Sequence, residues 1–157
     1  MNWSRREVCG ALPALMVMAQ LRASAQETRT LLPSKVYSFD QLPVRKSGSL
    51  TYRGVLSGEL YEGCQISLHE SELAPHNVPH PPHRHRHEEM VFVLNGTLEF
   101  LISGVVTRAG KGSVLFAGSN EMHGIRNPDD VPAKYFVFAL GRRMNEIRVT
   151  GDARKVI

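Results

Sequence analysis

The sequence predicts an all-β, single-domain protein, and three observations carry that reading. The chain has 157 residues, room for one core at roughly 100 to 200 residues per domain. It breaks into short apolar runs punctuated by Gly, Pro, Asn and Asp, with almost no sustained helical periodicity, the pattern of a β-barrel or sandwich. Apolar residues at 42% and charged residues at 22% exclude a disordered chain or a low-complexity fibre.

Residues 1–25 read as an export leader and not as part of the fold. Arg5 and Arg6 open it, residues 8–19 are uncharged and largely apolar, and Ala23-Ser24-Ala25 forms a small-residue cleavage site. The apolar run is 12 residues, interrupted by Pro13, against roughly 20 for a membrane-spanning helix. No stable membrane insertion is therefore expected after cleavage near Ala25. The segment Ser4-Arg5-Arg6-Glu7-Val8-Cys9 resembles a twin-arginine signal, which exports folded proteins, with Cys9 where another large apolar residue is usual. By either route the expected location is periplasmic or extracellular.

Cleavage also changes the charge. The whole chain carries +4 with a pI of 9.3, but losing Arg5, Arg6, Arg22 and Glu7 leaves 16 basic and 14 acidic residues. The remaining basic residues are scattered, so no nucleic-acid partner is expected. Cys9 leaves with the leader and Cys64 stands alone, beside Ile66 and Leu68, which predicts a buried, inert thiol without a disulfide.

Residues 26–49 are polar with occasional Val, Leu, Tyr and Phe, as in an arm packed across a barrel or onto a second subunit. Within 50–140, runs of alternating or continuous apolar residues predict strands at 50–53, 59–61, 65–69, 90–94, 97–102, 105–109, 113–117, 123–126 and 133–140. Asn95-Gly96 between two apolar runs predicts a two-residue hairpin, because both residue types accept positive φ. Ser103-Gly104 offers a second turn and Pro128-Asp129-Asp130 a third. Residues 141–157, with five Lys and Arg, read as a solvated tail.

The chemistry concentrates at residues 76–89, His-Asn-Val-Pro-His-Pro-Pro-His-Arg-His-Arg-His-Glu-Glu, which hold five of the seven histidines. Imidazole and carboxylate are the usual protein ligands of Zn, Mn, Fe, Ni and Cu; a His-rich loop binding metal adventitiously is the alternative. Spacing favours a built site. On an extended strand His83 and His85 face one side, Pro81-Pro82 hold the approach extended, and Glu89 after a turn can face the same point. His123, 34 residues after Glu89, completes three histidines and one carboxylate. His87 shares the parity and is the rival ligand, His80, His76 and His69 are weaker, with His69 read as a surface residue, and Glu88 is expected to be exposed.

These residues resemble the cupin superfamily. Its first motif is similar to His83-x-His85-xxx-Glu89-xxxxxx-Gly96, with Asn77 where a leading Gly is usual. Its second is similar to Gly112-xxxxx-Gly118-x-Asn120-xx-His123-xxx-Asn127, with Gly118 in place of Pro and Asn120 in place of Gly. The resemblance implies a single-domain, jelly-roll-like barrel (a double-stranded β-helix) over 50–140, in which His83, His85, Glu89 and His123 bind one divalent transition metal. It places His87 in the turn between strands, and it implies a homodimer.

Three neutral imidazoles and one carboxylate would leave a net +1 charge on a divalent ion and open positions for water or substrate. The expected function is a small metalloenzyme of oxygenase or isomerase type acting on a small organic molecule inside the barrel, with Glu89 a candidate base. A non-catalytic, metal-dependent binding or sensing module is the alternative. Val91, Val93, Phe100, Leu115, Phe116 and Phe138 are expected to line the barrel. No serine stands in a nucleophile-elbow setting and no phosphate loop is complete.

Overall fold

Side chains alternate across a strand, so a strand with one apolar face must bury it, and two sheets can do this against each other. The computed structural model describes residues 31–142, 144 and the backbone of 149–150. The expected leader with its twin-arginine segment, residues 26–30 of the expected arm and most of the expected tail lie outside the described residues. The strands are β1 (Val44–Ser47), β2 (Leu50–Glu59), β3 (Gln65–Leu73), β4 (His83–Arg84), β5 (Glu88–Asn95), β6 (Thr97–Ile102), β7 (Val105–Gly110), β8 (Val114–Ala117), β9 (His123–Arg126), β10 (Ala133–Gly141) and β11 (Val149–Thr150). One antiparallel sheet has the order β1-β2-β3-β10-β5-β8 and the other β11-β4-β9-β6-β7. The predicted all-β, jelly-roll-like barrel is the observed fold. No helix among the described residues is long and apolar enough to cross a membrane.

The core comes from the inward faces of both sheets, with Leu73, Val91, Val93, Tyr135 and Val137 from one and Leu98, Phe100 and Ile125 from the other. Four of the six expected lining residues, Val91, Val93, Phe100 and Leu115, are buried as expected. Phe116 and Phe138 are not: they alternate with Leu115 and Val137, so strand parity turns them outward.

Two turns exchange roles relative to expectation. Asn95-Gly96 makes no hairpin, since β5 and β6 belong to different sheets. Gly96 instead turns the chain from one sheet into the other at φ +76, where a Cβ would stand 3.0 Å from both Cα of Ala133 and the carbonyl oxygen of Pro132. The two-residue hairpin is Ser103-Gly104, joining β6 to β7 with Ile102 opposite Val105 and φ of 44 and 90, as primed turns require.

The strand expected at 59–61 is also absent. β2 runs unbroken to Glu59, and Tyr61–Gly63 forms a 3-10 turn in which Glu62 has φ 63 and the Leu60 amide donates to the Cys64 carbonyl at 2.6 Å. Cys64 itself is half-buried and free, because it ends this turn before the apolar run begins. β1 carries no apolar inward face, all four residues being exposed, which hid it from a pattern-based reading.

Part of the stretch before β1 packs on the sheet's outer side. The Leu32 amide donates to the Glu59 carbonyl at 2.8 Å. The Phe39 ring lies 4.5 Å from the Arg53 guanidinium, which in turn pairs with the buried Glu70 at 3.4 Å. The arm thereby covers a charge pair that would otherwise sit at the surface.

Candidate metal centre

β4 and β9 run side by side with His83 directly opposite His123. Burial across residues 83–86 alternates so that His83 and His85 point inward while Arg84 and Arg86 point out, although β4 ends at Arg84 and His85 already belongs to the turn. Glu89 enters from β5 in the facing sheet. One ligand atom from each of His83, His85, Glu89 and His123 lies within 4.8 Å of the others. The three histidines are 1%, 5% and 2% exposed, so these are enclosed groups and not a surface tract.

The backbone fixes two of the rings. Nδ1 of His85 donates to the carbonyl of His87, and Nδ1 of His123 to the carbonyl of Glu121, each at 2.8 Å. A carbonyl only accepts, so the proton sits on Nδ1 and the lone pair of each neutral ring on Nε2. Those Nε2 atoms face the Glu89 carboxylate at 3.5 and 3.6 Å. Lone pairs opposite a carboxylate need a cation: a proton on each ring, or one metal ion shared by all. Ring centroids of His83, His85 and His123 lie 4.7 to 5.0 Å apart, and buried imidazoliums at that spacing repel. A single ion avoids the repulsion. With metal–ligand bonds of about 2.0 to 2.2 Å, a contraction of a few tenths of an ångström lets all four atoms reach it, so the donor set fits such an ion.

Burial is the largest single influence on Glu89 and pushes its proton affinity up. With a second proton on each ring at Nε2, the first of the two alternatives above, hydrogen bonds and charges from His123 and His85 outweigh it and hold the carboxyl well below its ordinary 4.5. Glu89 is thus an anion at neutral pH, as a metal ligand must be.

The loop 118–122 couples the two motifs. The Asn120 amide donates to the His85 carbonyl at 2.7 Å, while Glu121 orients His123. Asn120 stands at φ 61, a left-handed conformation that Asn tolerates, so it serves where the family pattern has Gly. Asn127, fully buried, donates to the carbonyls of Leu73, Ala74 and Val131 and accepts from the Asp129 amide. It is a structural clamp behind the site.

The other histidines divide. His87 stands outside the four-residue cluster; its ring stacks on His85 with centroids 3.5 Å apart and planes 7° from parallel. Its backbone lies so close to Gly141 that a Cβ there would meet His87 Cβ at 2.8 Å, which explains a glycine at the end of β10. His80 meets His83 edge-on at 4.5 Å. His76 pairs with Asp130 at the surface at 2.7 Å. Glu88, expected to be exposed, is half-buried against the same Gly141.

His69 overturns its surface reading. It lines a cavity of about 230 Å³ beside Glu89 and His123, together with Tyr52, Ser71 and Tyr135. The predicted strand stopped at His69, whereas β3 continues to Leu73. The inward parity of His69, Ser71 and Leu73 was the signal that would have placed it. The apolar lining is Leu50, Pro79, Ile125 and Val137, a different set from the one expected.

Residues 69–139 match the family described as Cupin domain. That match and the shared fold below make the chain similar to cupins. Solved structures share its fold: an RmlC-like cupin from Shewanella frigidimarina is 18% identical, covering 73% of this chain and 97% of that one, with a TM-score of 0.58. The polyketide cyclase RemF from Streptomyces resistomycificus is 21% identical over 76% and 85%, with a TM-score of 0.60. A predicted oxalate decarboxylase from Thermotoga maritima is 19% identical over 68% and 99%, with a TM-score of 0.61. No curated protein matches the chain in sequence. The matched span, 69–139, contains all four clustered residues.

Proposed function

We propose that the protein is an exported metalloenzyme that holds one divalent transition metal (Fe, Mn, Ni, Cu or Zn) at His83, His85, Glu89 and His123 and transforms a small organic substrate by oxygenase or isomerase chemistry. One observation carries this reading: the enclosed four-ligand cluster meets a cavity lined by two of its own members, Glu89 and His123. A purely structural ion would have no use for that opening, since structural sites are closed and catalytic ones keep a position free.

The bound metal would act as a Lewis acid on a substrate oxygen, or as a redox centre if it is Fe or Cu. The protein's part is positional. The Glu121 and His87 carbonyls aim two Nε2 atoms inward. Glu89 serves first as ligand. A carboxylate held far below its ordinary range takes up a proton poorly, so acting as a base would require it to leave the ion.

The leader proposed at 1–25 delivers the chain to the periplasm or outside, by a twin-arginine route if loading precedes export. A homodimer belongs to the same proposal: Phe92, Leu94, Val114 and Phe116 are 37 to 55% exposed on the outer face of β5 and β8, with Phe92 directly opposite Val114. Such an apolar row on a sheet face suits an isologous contact. Sedimentation at micromolar concentration is expected to give a dimer, and a monomer contradicts that part.

The function is tested by loading the purified chain with each metal in turn and offering hydroxy-ketones, enols and phenols, while following oxygen uptake and product mass. Turnover that disappears in Glu89→Ala supports the enzyme. Saturable binding without turnover across the panel would instead assign a binding or sensing role.

A further inference from the structure

The cavity wall that faces the ligand cluster comes from the inward side of β2, β3 and β10. Tyr52 lies opposite Ser71, and Ser71 opposite Tyr135; His69 lies between Gly54 and Val137. Because Gly54 offers no side chain, the Tyr52 ring closes over His69, with ring centroids 4.5 Å apart and planes tilted by 33°. All four polar residues line the cavity; Ser71 and Tyr135 do so from the packed core, whereas Tyr52 and His69 are half-buried and face the space a ligand can enter.

This wall is polar but uncharged. Burial is the main influence on His69 and brings it down to about 4, although the Glu89 charge pulls the other way. Burial likewise raises Tyr135 above its ordinary value despite a hydrogen bond from Ser71. At neutral pH the imidazole and the phenol are both neutral. Among the described residues lining the cavity none is Lys or Arg, and the one carboxylate is Glu89.

A buried anion needs a cation beside it. A second anionic group held against this wall, away from the metal centre, would lose its water and find no Lys or Arg there. A hydroxyl or carbonyl oxygen would instead find the phenols, imidazole and serine hydroxyl able to donate or accept. Volume adds a limit, since about 230 Å³ lies below the roughly 300 to 1,000 Å³ of drug-sized ligand pockets.

We propose that Tyr52 and His69 form the specificity wall of the site, selecting a small neutral molecule that presents one oxygen to them and another to the His83, His85, Glu89 and His123 centre, and rejecting ligands that carry a second anionic group. This inference rests on the metal-site reading above.

The test uses the zinc-loaded full chain and three probes that share one chelating hydroxy-pyranone head and differ only at the far end. Kojic acid carries a hydroxymethyl group there, allomaltol a methyl group and comenic acid a carboxylate. Calorimetric titration is expected to rank kojic acid about tenfold tighter than allomaltol, the worth of one neutral hydrogen bond, with comenic acid weakest. Tyr52→Phe and His69→Phe are each expected to shrink the gap between kojic acid and allomaltol while metal content stays at the wild-type level. His69→Gln, which keeps a polar group and guards against a folding defect, is expected to retain part of the gap. Comenic acid binding as tightly as kojic acid, or an unchanged ranking in both phenylalanine variants at full zinc occupancy, overturns the inference and leaves the metal site standing. Wild-type protein that takes up no zinc overturns both.

Discussion

Replacing Asn127 with Ala removes more hydrogen bonds than any other single truncation near the site. The side chain is 0% exposed; its amide reaches the carbonyls of Leu73 and Ala74 at 3.1 Å and of Val131 at 2.8 Å, and its oxygen takes the Asp129 amide at 3.1 Å. These bonds tie the end of β3 to the loop between β9 and β10, directly behind His123. The Leu73 carbonyl is enclosed with Leu73 itself and keeps no route to water, a loss of about 1 to 3 kcal/mol for an unsatisfied buried group. The other three groups are only partly buried, and water can recover most of their bonding. The sum is about 3 kcal/mol, or a fall of roughly 10 °C in Tm for a chain of this size. Reversible urea unfolding in EDTA, so that bound metal adds nothing to the native state, is the assay. A loss below about 0.5 kcal/mol would refute the clamp.

Gly96→Ala must place a Cβ 3.0 Å from the Ala133 Cα at φ +76, whereas Gly104→Ala at φ +90 meets open space. The left-handed strain alone costs about 1 to 2 kcal/mol, so Gly104→Ala is expected to lose about that much and Gly96→Ala clearly more; equal losses in parallel melts would contradict the sheet-crossing role. His69 falls from 6.5 unfolded to about 4 folded, so the unfolded chain binds its proton more readily and the native state loses stability as pH drops below 6.5, levelling off near 4. In metal-free protein, wild type is expected to lose about 2 kcal/mol more than His69→Phe between pH 7 and pH 5. Identical pH slopes in denaturant unfolding would place His69 in solvent.

The fold class was legible because strand punctuation and alternation are local. The ligand cluster was legible because parity is too: His83 and His85 are two apart, and the burial of 83–86 alternates as that spacing requires. What a single strand cannot announce is its partner. Asn95-Gly96 carries stronger hairpin chemistry than Ser103-Gly104, yet tertiary packing against Pro132 and Ala133 makes it a corner between sheets. His69 was hidden for a related reason. Its inward direction depends on β3 continuing past Glu70, whose charge looks like a strand end until Arg53 and Phe39 are seen to cover it. The cavity wall of Tyr52, Ser71 and Tyr135 joins three strands distant in sequence, and no spacing rule links them. Asn120 was a departure from the motif whose consequence could be judged only from its backbone angle.

Whether His83, His85, Glu89 and His123 hold one metal ion is read by elemental mass spectrometry on the untagged protein. Wild type is expected to carry roughly one first-row transition metal per chain, the identity set by availability as much as affinity. A His83→Ala/His123→Ala variant, folded by circular dichroism, is expected to carry none. Metal retained in that variant, or a wild-type protein that stays metal-free when offered Zn, Mn, Fe, Ni and Cu, would contradict the account.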